Sequence, residues 1–309
     1  MKRALLLGGL LAFGSLSMTL AAFQAPAAPK VVEVEKLRDN LWVLKGGGGN
    51  TAVFVGSAGI TVVDTKNPGW GQPILDKIKE LSNKPVVRII NTHTHGDHVS
   101  GNVEFPATVD VVVQENTAAN MKKMAPVTGL SQPGAPAPAN IFDQNGGRGL
   151  PKKTFKDKMT IGSGADQIDL YYFGRGHTNG DAWVVWPALR VLHAGDIFSG
   201  KVAPLLDANN GGSGVEISNS LTKAADTVKN IDTVITGHAT TTMTMADLRE
   251  YAQFNKDFLE YVRAGVQAGK TVDAMASEYK VPGKYAGYQA AEARVKSNVQ
   301  VISDELKKK

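Results

Sequence analysis

The sequence places four potential metal ligands within six residues, in the run HTHGDH. They are His93, His95, Asp97 and His98. Imidazole nitrogens and carboxylate oxygens are the donors that zinc and metals of similar hardness prefer. Alternate residues of an extended segment point the same way, so His93 and His95 can face one ion, and the glycine at 96 lets the chain bend toward a second ion. With only six histidines in the chain, this clustering predicts a metal site rather than a polar loop.

Three further candidate ligands come later in the chain, and each follows a short apolar run that has the pattern of a buried strand. Each also lies in a loop that contains glycine. A rigid sheet can deliver such residues from distant points of the chain to one edge. The candidates are His177 in GRGHTNGD, Asp196 in HAGD and His238 in TGH.

These motifs, in this order, resemble those of the metallo-β-lactamase superfamily over residues 40–238. The resemblance implies an αββα sandwich, an α/β fold with the site at one edge of two facing sheets. It also implies a division of the ligands. His93, His95 and His177 would hold one metal ion, Asp97, His98 and His238 would hold a second, and Asp196 would bridge them. For Asp196, capping of the following turn is the alternative.

The chemistry implied by this ligand set is hydrolysis. Two metal ions about 3.5–4 Å apart can share a hydroxide, and zinc lowers the pKa of bound water to about 7. Asp97 is the predicted catalytic residue, because it could orient that hydroxide and later pass on a proton. Zn2+ (two ions) is the expected cofactor, although the same ligands admit iron or manganese. Such a site keeps a net positive charge, which favours a small anionic substrate.

The sequence leaves several classes of cleaved bond open. The superfamily includes enzymes for β-lactams, lactones, thioesters and phosphodiesters, and Asp196 stands where its true β-lactamases have a metal-binding cysteine. We expect an exported dinuclear zinc hydrolase that opens a β-lactam or lactone-like ring. A phosphoesterase, a thioesterase and a non-catalytic metal-binding accessory protein are the alternatives. Lys201 and Asn209 or Asn210 are candidate substrate contacts, against which stands ordinary solvation of a loop.

The composition of the chain excludes several other classes of function. The chain has no cysteine, so disulfides, thiolate nucleophiles and cysteine-ligated zinc are excluded. The net charge of +5 comes largely from lysines and arginines at the two termini, and no basic stripe predicts nucleic-acid binding. The N-terminus has the charged start, apolar stretch and small residues of a secretory signal. We therefore expect a periplasmic or secreted protein with no stable membrane span after cleavage; an uncleaved anchor is the alternative.

The chain is thus divided into a signal peptide (residues 1–28), a metallo-β-lactamase-like domain (29–245) and a C-terminal helical extension (246–309). Within the domain, Asp64 ends a predicted strand and is expected to orient a ligand histidine. His193 is expected to support the ligands or to lie in the core, rather than to bind a metal ion. The Pro- and Gly-rich segment 125–151 is predicted to be either a lid over the site or a surface insertion. The apolar stripe after residue 245 predicts a packing helix.

Overall fold

The computed structural model of the protein describes residues 30–131, 136 and 138–308, so the predicted signal peptide lies outside the described residues. Two mixed β-sheets form the centre of this part of the chain. The first contains β1 (Glu33–Arg38), β2 (Leu41–Lys45), β3 (Thr51–Val55), β4 (Ile60–Val63), β5 (Val86–Ile90), β6 (Asp110–Gln114) and β7 (Lys153–Phe155), in that spatial order. The second contains β8 (Lys158–Ile161), β9 (Ile168–Tyr171), β10 (Trp183–Trp186), β11 (Val191–Gly195) and β12 (Thr233–Thr236), also in sequence order.

Helices cover the outer faces of both sheets. In chain order they are α1 (Gly71–Leu81), α2 (Gly96–Val99), α3 (Glu115–Met121), α4 (Ile141–Gln144), α5 (Ile217–Thr227), α6 (Met245–Gln267), α7 (Val272–Glu278) and α8 (Glu292–Lys307). None of the helices in the described ranges is long and apolar enough to cross a membrane. The arrangement of helix, sheet, sheet and helix is the predicted αββα sandwich.

Three apolar layers hold the sandwich together, because each strand alternates its side chains between the two faces of its sheet. The middle layer joins the two sheets, with Phe54 against Trp186 as its largest pair. One outer layer packs Ile74 and Ile78 of α1 against the first sheet. The other packs α5, α6 and α8 against the second sheet. Burial of these apolar faces is the main force that fixes the layers.

The C-terminal helices share a core with the second sheet. A capping box between Thr244 and Asp247 starts α6, since each side chain bonds the other's backbone N–H. The predicted apolar stripe of this helix is buried at Leu248, Tyr251 and Phe254, among others. The helical extension therefore packs as predicted.

The topology brings the candidate ligands to one edge. Strands β4, β5 and β6 are parallel, and so are β11 and β12. The carboxyl ends of parallel strands meet at the same edge of a sheet. Asp64, Asp196 and His238 follow β4, β11 and β12 within two residues, and HTHGDH begins shortly after β5.

The chain changes from extended to helical at Gly96, where the short helix α2 begins and presents Asp97 and His98. Helix α3 begins at Glu115, because the side chain of Gln114 caps its start. The sequence analysis missed strand β7, because three residues offer too little alternation to detect.

Candidate metal centre

The structure brings all seven predicted ligands together at the edge where these strands end. Ring nitrogens and carboxylate oxygens within each group lie within 4.8 Å of one another. One group is His93, His95 and His177, together with Asp196, and its three histidines are here called the buried ligand set. The other, here called the open ligand set, is Asp97, His98 and His238. The histidines and Asp97 fall into the two groups that the resemblance assigned to two metal ions, and the binding of one ion by each group stays a prediction.

The buried ligand set presents lone pairs rather than protons to its centre. His93 Nδ1 donates to Thr92 Oγ1 at 3.0 Å, because that hydroxyl already donates to Asp64 Oδ2. His93 Nε2 then carries the lone pair, and it is buried with no hydrogen-bond partner within the described residues. His95 Nδ1 and His177 Nε2 face each other at 3.0 Å. Facing lone pairs at this distance fit a cation between them.

The protonation states agree with this geometry. Burial lowers the pKa of His177 to about 4 and the pKa of His93 well below its usual value. Neighbouring imidazoles lower both values further. These rings are therefore neutral at pH 7, which is the state in which an imidazole binds a metal ion.

The open ligand set is charged and lies nearer to solvent. His98 Nε2 is 3.3 Å from His238 Nε2, and Asp97 Oδ2 is 3.2 Å from His238 Nε2. Although burial opposes protonation, the carboxylates of Asp196 and Asp97 raise the pKa of His238 to about 9. Carboxylates raise the pKa of His98 as well. The negative charge that favours protons here favours a metal cation equally.

Asp196 lies between the two sets. Its Oδ1 is 3.2 Å from His98 Nε2, and its Oδ2 is 3.2 Å from His238 Nε2 and 3.7 Å from His177 Nε2. Burial would raise the pKa of this carboxyl, but His98 and His238 hold it well below its usual range. The side chain therefore points at both sets as a carboxylate, as a bridging ligand would.

Buried partners hold the outer nitrogens of three ligand rings. His98 Nδ1 donates to Asp64 Oδ2, His95 Nε2 donates to Asp207 Oδ2, and His177 Nδ1 donates to the Leu205 carbonyl, each at 2.7 Å. Such partners fix the tautomer and the orientation of a metal-binding histidine. The sequence predicted an orienting role for Asp64. It missed Asp207, whose only signal is an acidic residue in the loop LLDANN.

Asp207 also ties the loop after α3 to the site. Although burial opposes ionisation, bonds from His95, from Thr128 N at 2.9 Å and from Asn210 Nδ2 at 2.6 Å lower the pKa of Asp207 to about 2. Asn209 donates to Thr128 Oγ1 and to the Pro126 carbonyl. Asn209 and Asn210, two candidate substrate contacts, therefore hold the first part of segment 125–151 in place.

Glycine is required where the two strand-end loops meet. A Cβ atom at Gly237, directly before His238, would overlap Asp196 Oδ1. A Cβ atom at Gly49 would overlap the ring of His98. The Asn50 N–H donates to the Gly237 carbonyl at 2.6 Å, which joins these loops beside the ligands.

Two cavities meet at His95. One, of about 500 Å³, is lined by the ligands Asp97, Asp196 and His238 and by Lys201 and Arg294, among others. The other, of about 290 Å³, is lined mainly by apolar groups, including Met124 and Val127. The described part of segment 125–151 thus borders the site on both sides.

Two further polar residues near the site have structural contacts. His193 is buried; its Nδ1 accepts from the Gly195 N–H and its Nε2 donates to the Asn50 carbonyl, in agreement with the predicted core position. Thr178 donates through its hydroxyl and its N–H to Asp181, which closes the turn beside His177.

The comparisons with known proteins agree with this site. Residues 44–238 match the family model of the metallo-beta-lactamase superfamily. The chain belongs to this superfamily, and it is a metal-dependent hydrolase. A metallo-beta-lactamase type 2 from Elizabethkingia meningoseptica is 29% identical over 225 residues, which cover 67% of this chain and 78% of that protein.

Solved structures share the fold at lower identity. A metallo-beta-lactamase from Pontibacter korlensis superposes with a TM-score of 0.58 at 19% identity, over 73% of this chain and 99% of its own. The sec-alkylsulfatase Pisa1 from Pseudomonas sp. superposes with a TM-score of 0.67 at 16% identity. That match covers 87% of this chain and 50% of the sulfatase.

Proposed function

We propose that this hydrolase holds two zinc ions and opens a small anionic acyl substrate, a β-lactam or lactone-like ring. The observation that carries the proposal is the position of Asp196 between two complete ligand sets. A structural zinc site is usually closed and holds one ion, whereas a catalytic site keeps an open position. Here the open ligand set borders a cavity large enough for a small molecule.

When bound, two zinc ions supply a water nucleophile at neutral pH and polarise the bond to be broken. The chain's own groups would place that chemistry. Asp97 is ionised, because the imidazoles of His98 and His238 outweigh the effect of burial and lower its pKa. Its Oδ2 lies in the open ligand set and borders the cavity, so Asp97 can orient the attacking water and then carry a proton.

The cavities favour a substrate with two different ends. The larger cavity is lined by Arg294, whose cationic group suits an acidic group, whereas the charge of Lys201 in the same cavity is already shared with Asp247 and Glu250. The smaller cavity is mainly apolar and suits a hydrophobic substituent. A bicyclic or acylated ring that carries a carboxylate has both features, and the relative from Elizabethkingia meningoseptica is a metallo-beta-lactamase.

A second candidate is the hydrolysis of an oxyacid ester, as in a phosphoesterase. It is supported by the sulfatase Pisa1, whose fold matches 87% of this chain. The match to the superfamily model ends at residue 238, and the match to the Elizabethkingia meningoseptica enzyme covers 67% of the chain. The sulfatase superposes on 87% of this chain and the Pontibacter korlensis β-lactamase on 73%, and this wider match supports an anionic ester as the substrate. A thioesterase and a non-catalytic accessory protein rest on no particular observation.

A substrate panel on the zinc-loaded protein tests the proposal. Metal analysis is expected to give about two equivalents, and ring opening of a β-lactam or lactone is expected to exceed the hydrolysis of phosphodiesters, sulfate esters and thioesters. The opposite ranking would favour the second candidate. One tightly held ion with no turnover would contradict both.

Asp97→Asn tests the catalytic role of Asp97. The amide keeps the shape of the side chain but loses its negative charge, so turnover is expected to fall by about 10²–10³-fold. Circular dichroism and the metal content report whether the fold and the ions are retained. A turnover rate equal to wild type would contradict the assigned role.

We also propose export, with cleavage of residues 1–28, to the periplasm or the medium. The proposal is supported by the charged and then apolar N-terminal sequence. Intact-mass analysis of the protein from a fractionated bacterial host would test it. A full-length mass in the cytoplasmic fraction would contradict it.

A further inference from the structure

Arg294 is the one arginine among the described residues with neither an ion pair nor a hydrogen bond to another protein group. It lines the larger cavity together with Asp196 and His238. Among the described residues, no carboxylate oxygen lies within 4.0 Å of its guanidinium and none of their groups hydrogen-bonds to it. By contrast, four other arginines form ion pairs with carboxylates: Arg175, Arg190, Arg249 and Arg263.

The cationic guanidinium of Arg294 is partly buried. Burial lowers its pKa, while Tyr251 and Asp196 act in the opposite direction. A guanidinium stays protonated in proteins regardless of such a shift. A partly buried cation without a close counter-ion is costly unless an anion joins it. An anionic ligand in the cavity would supply that partner.

The backbone around Arg294 is held against the wall of the cavity. The Gln289 N–H donates to the Lys201 carbonyl at 3.0 Å, and the Ala203 N–H donates to the Gln289 carbonyl at 2.8 Å. Asn298, one turn further along α8, donates to the Pro204 carbonyl at 2.9 Å. Arg294 lies between these attachments, so its helix has a fixed position relative to the loop that follows Asp196.

Lys201, the contact suggested by the sequence, is less available to an anion. Its Nζ is 3.6 Å from Asp247 Oδ1 and 3.8 Å from Glu250 Oε1, so two carboxylates of α6 already share its charge. It also lies over the ring of Tyr288, 5.9 Å from the centroid. Of the two cations in the cavity, Arg294 is the one without an anionic neighbour at close range in the described chain.

We propose that Arg294 binds the oxyanion group of the substrate and so places the bond to be cleaved at the ligand cluster. A planar guanidinium can donate two parallel hydrogen bonds to a carboxylate, sulfate or phosphate group. This inference deepens the proposed function, because it rests on an anionic substrate in the larger cavity. It assigns substrate recognition to a helix that lies beyond the residues matched by the superfamily model.

Equilibrium binding tests the proposal without requiring turnover. The probes are hexyl sulfate and the neutral hexanol, measured by calorimetry with the zinc-loaded protein. Arg294→Gln is expected to weaken hexyl sulfate by about tenfold, the equivalent of one charge-assisted hydrogen bond, and to leave hexanol unchanged. Lys201→Gln, the matched control from the same cavity, is expected to change either affinity by less than about threefold. Metal content is measured for each variant.

A kinetic pair of substrates separates this proposal from the proposed function. A chromogenic cephalosporin with a free carboxylate is compared with its methyl ester. Arg294→Gln is expected to raise the KM of the acid by about tenfold and the KM of the ester by little, with kcat nearly unchanged. Arg294→Lys is expected to restore part of the loss. If neither compound is opened, the proposed ring-opening function fails while the binding result still decides the role of Arg294.

Two outcomes would overturn the inference. One is the same loss of affinity for hexyl sulfate and hexanol in Arg294→Gln, since that would indicate a packing role. The other is an equal or larger anion-specific loss in Lys201→Gln. Wild-type protein that binds hexyl sulfate no better than hexanol would contradict the proposal as well.

Discussion

The buried and open ligand sets meet at Asp196 but differ in their access to solvent. His93, His95 and His177 are each at most 5% exposed. The side chains of Asp97 and His238 are 32% and 41% exposed, although His98 beside them is fully buried. The buried set is enclosed, and His93 and His177 in it are neutral, whereas the open set is charged and borders the larger cavity.

This difference separates two tasks within one cluster. Neutral, oriented imidazoles bind a metal ion with little rearrangement, because their lone pairs already face one point. Exposed ligands can exchange contacts when a substrate enters. We therefore expect the buried set to hold its ion more tightly, and the open set to hold the ion that changes its surroundings during turnover.

The largest effect is expected for Asp196→Ala, because this change removes the ligand shared by both sets. It leaves five imidazoles close together without the carboxylate between them. Turnover is expected to fall by at least about 10³-fold, and binding of both ions is expected to weaken. Steady-state kinetics and titration with Zn2+ measure the two effects. Weakened binding of only one ion would show that Asp196 belongs to a single set.

A matched pair of histidine variants tests the difference between the sets directly. His177→Ala removes a buried ligand and His238→Ala an exposed one. His177→Ala is expected to weaken the tighter ion, whereas His238→Ala is expected to keep about one tightly bound equivalent and to lose the weaker ion. Calorimetry with Zn2+ and elemental analysis after dialysis measure both. If His238→Ala loses the tighter ion, the assignment is reversed.

A smaller effect is expected when a supporting carboxylate is changed. Asp207→Asn acts on His95 in the buried set, and Asp64→Asn acts on His98 in the open set. Loss of such a partner typically costs about 10–100-fold in metal affinity. In a zinc competition assay, Asp207→Asn is expected to weaken only the ion of the buried set. Asp64→Asn is expected to weaken the ion of the open set more than the other, which it also reaches through Thr92 and His93. Equal weakening of both ions by either variant would mean that the sets act as one site.

The smallest effect concerns Lys66, which lies next to the open set. Its buried Nζ donates to the carbonyls of Leu44 and Gly49, and Gly49 packs against His98. Burial lowers the pKa of Lys66 to about 7, against attraction by Asp64 and Asp97. Between this value and the unfolded value near 10.5, the unfolded chain binds more protons, so the free energy of unfolding rises with pH.

Lys66→Met is expected to remove the contribution of Lys66 to the pH dependence of the free energy of unfolding in the metal-free protein. From pH 7.5 to pH 9.5, the wild type is expected to gain about 2 kcal/mol of stability relative to the variant. Urea unfolding of both proteins at the two pH values, with a chelator present, gives the difference. Parallel curves would show that Lys66 keeps an ordinary pKa in the fold.

Most of the ligand cluster was predictable because residue type and strand order carry the information together. A histidine or aspartate directly after an apolar run lies at a strand end, and parallel strands bring such ends together. His93, Asp196 and His238 were found in this way. Their positions depend on backbone topology, which alternating apolar residues indicate well.

The residues that the sequence analysis missed depend on contacts between segments that are distant in the chain. Asp207 follows no strand, and its role comes from meeting His95 across 112 positions of the chain. Arg294 lies in a helix whose apolar pattern indicates only packing. Its place beside the cavity follows from backbone bonds between Gln289 and Lys201, which no local pattern encodes.

Substitution of Gly237 is expected to inactivate the protein while every metal-ligand atom is kept. A larger residue at that position would displace the carboxylate of Asp196 from its place among the imidazoles. A variant library that is meant to alter substrate range while the cluster is kept therefore has to spare this glycine, and Gly49 against His98 as well. A Gly237→Val variant would serve as an inactive control that carries the full set of ligand histidines and aspartates.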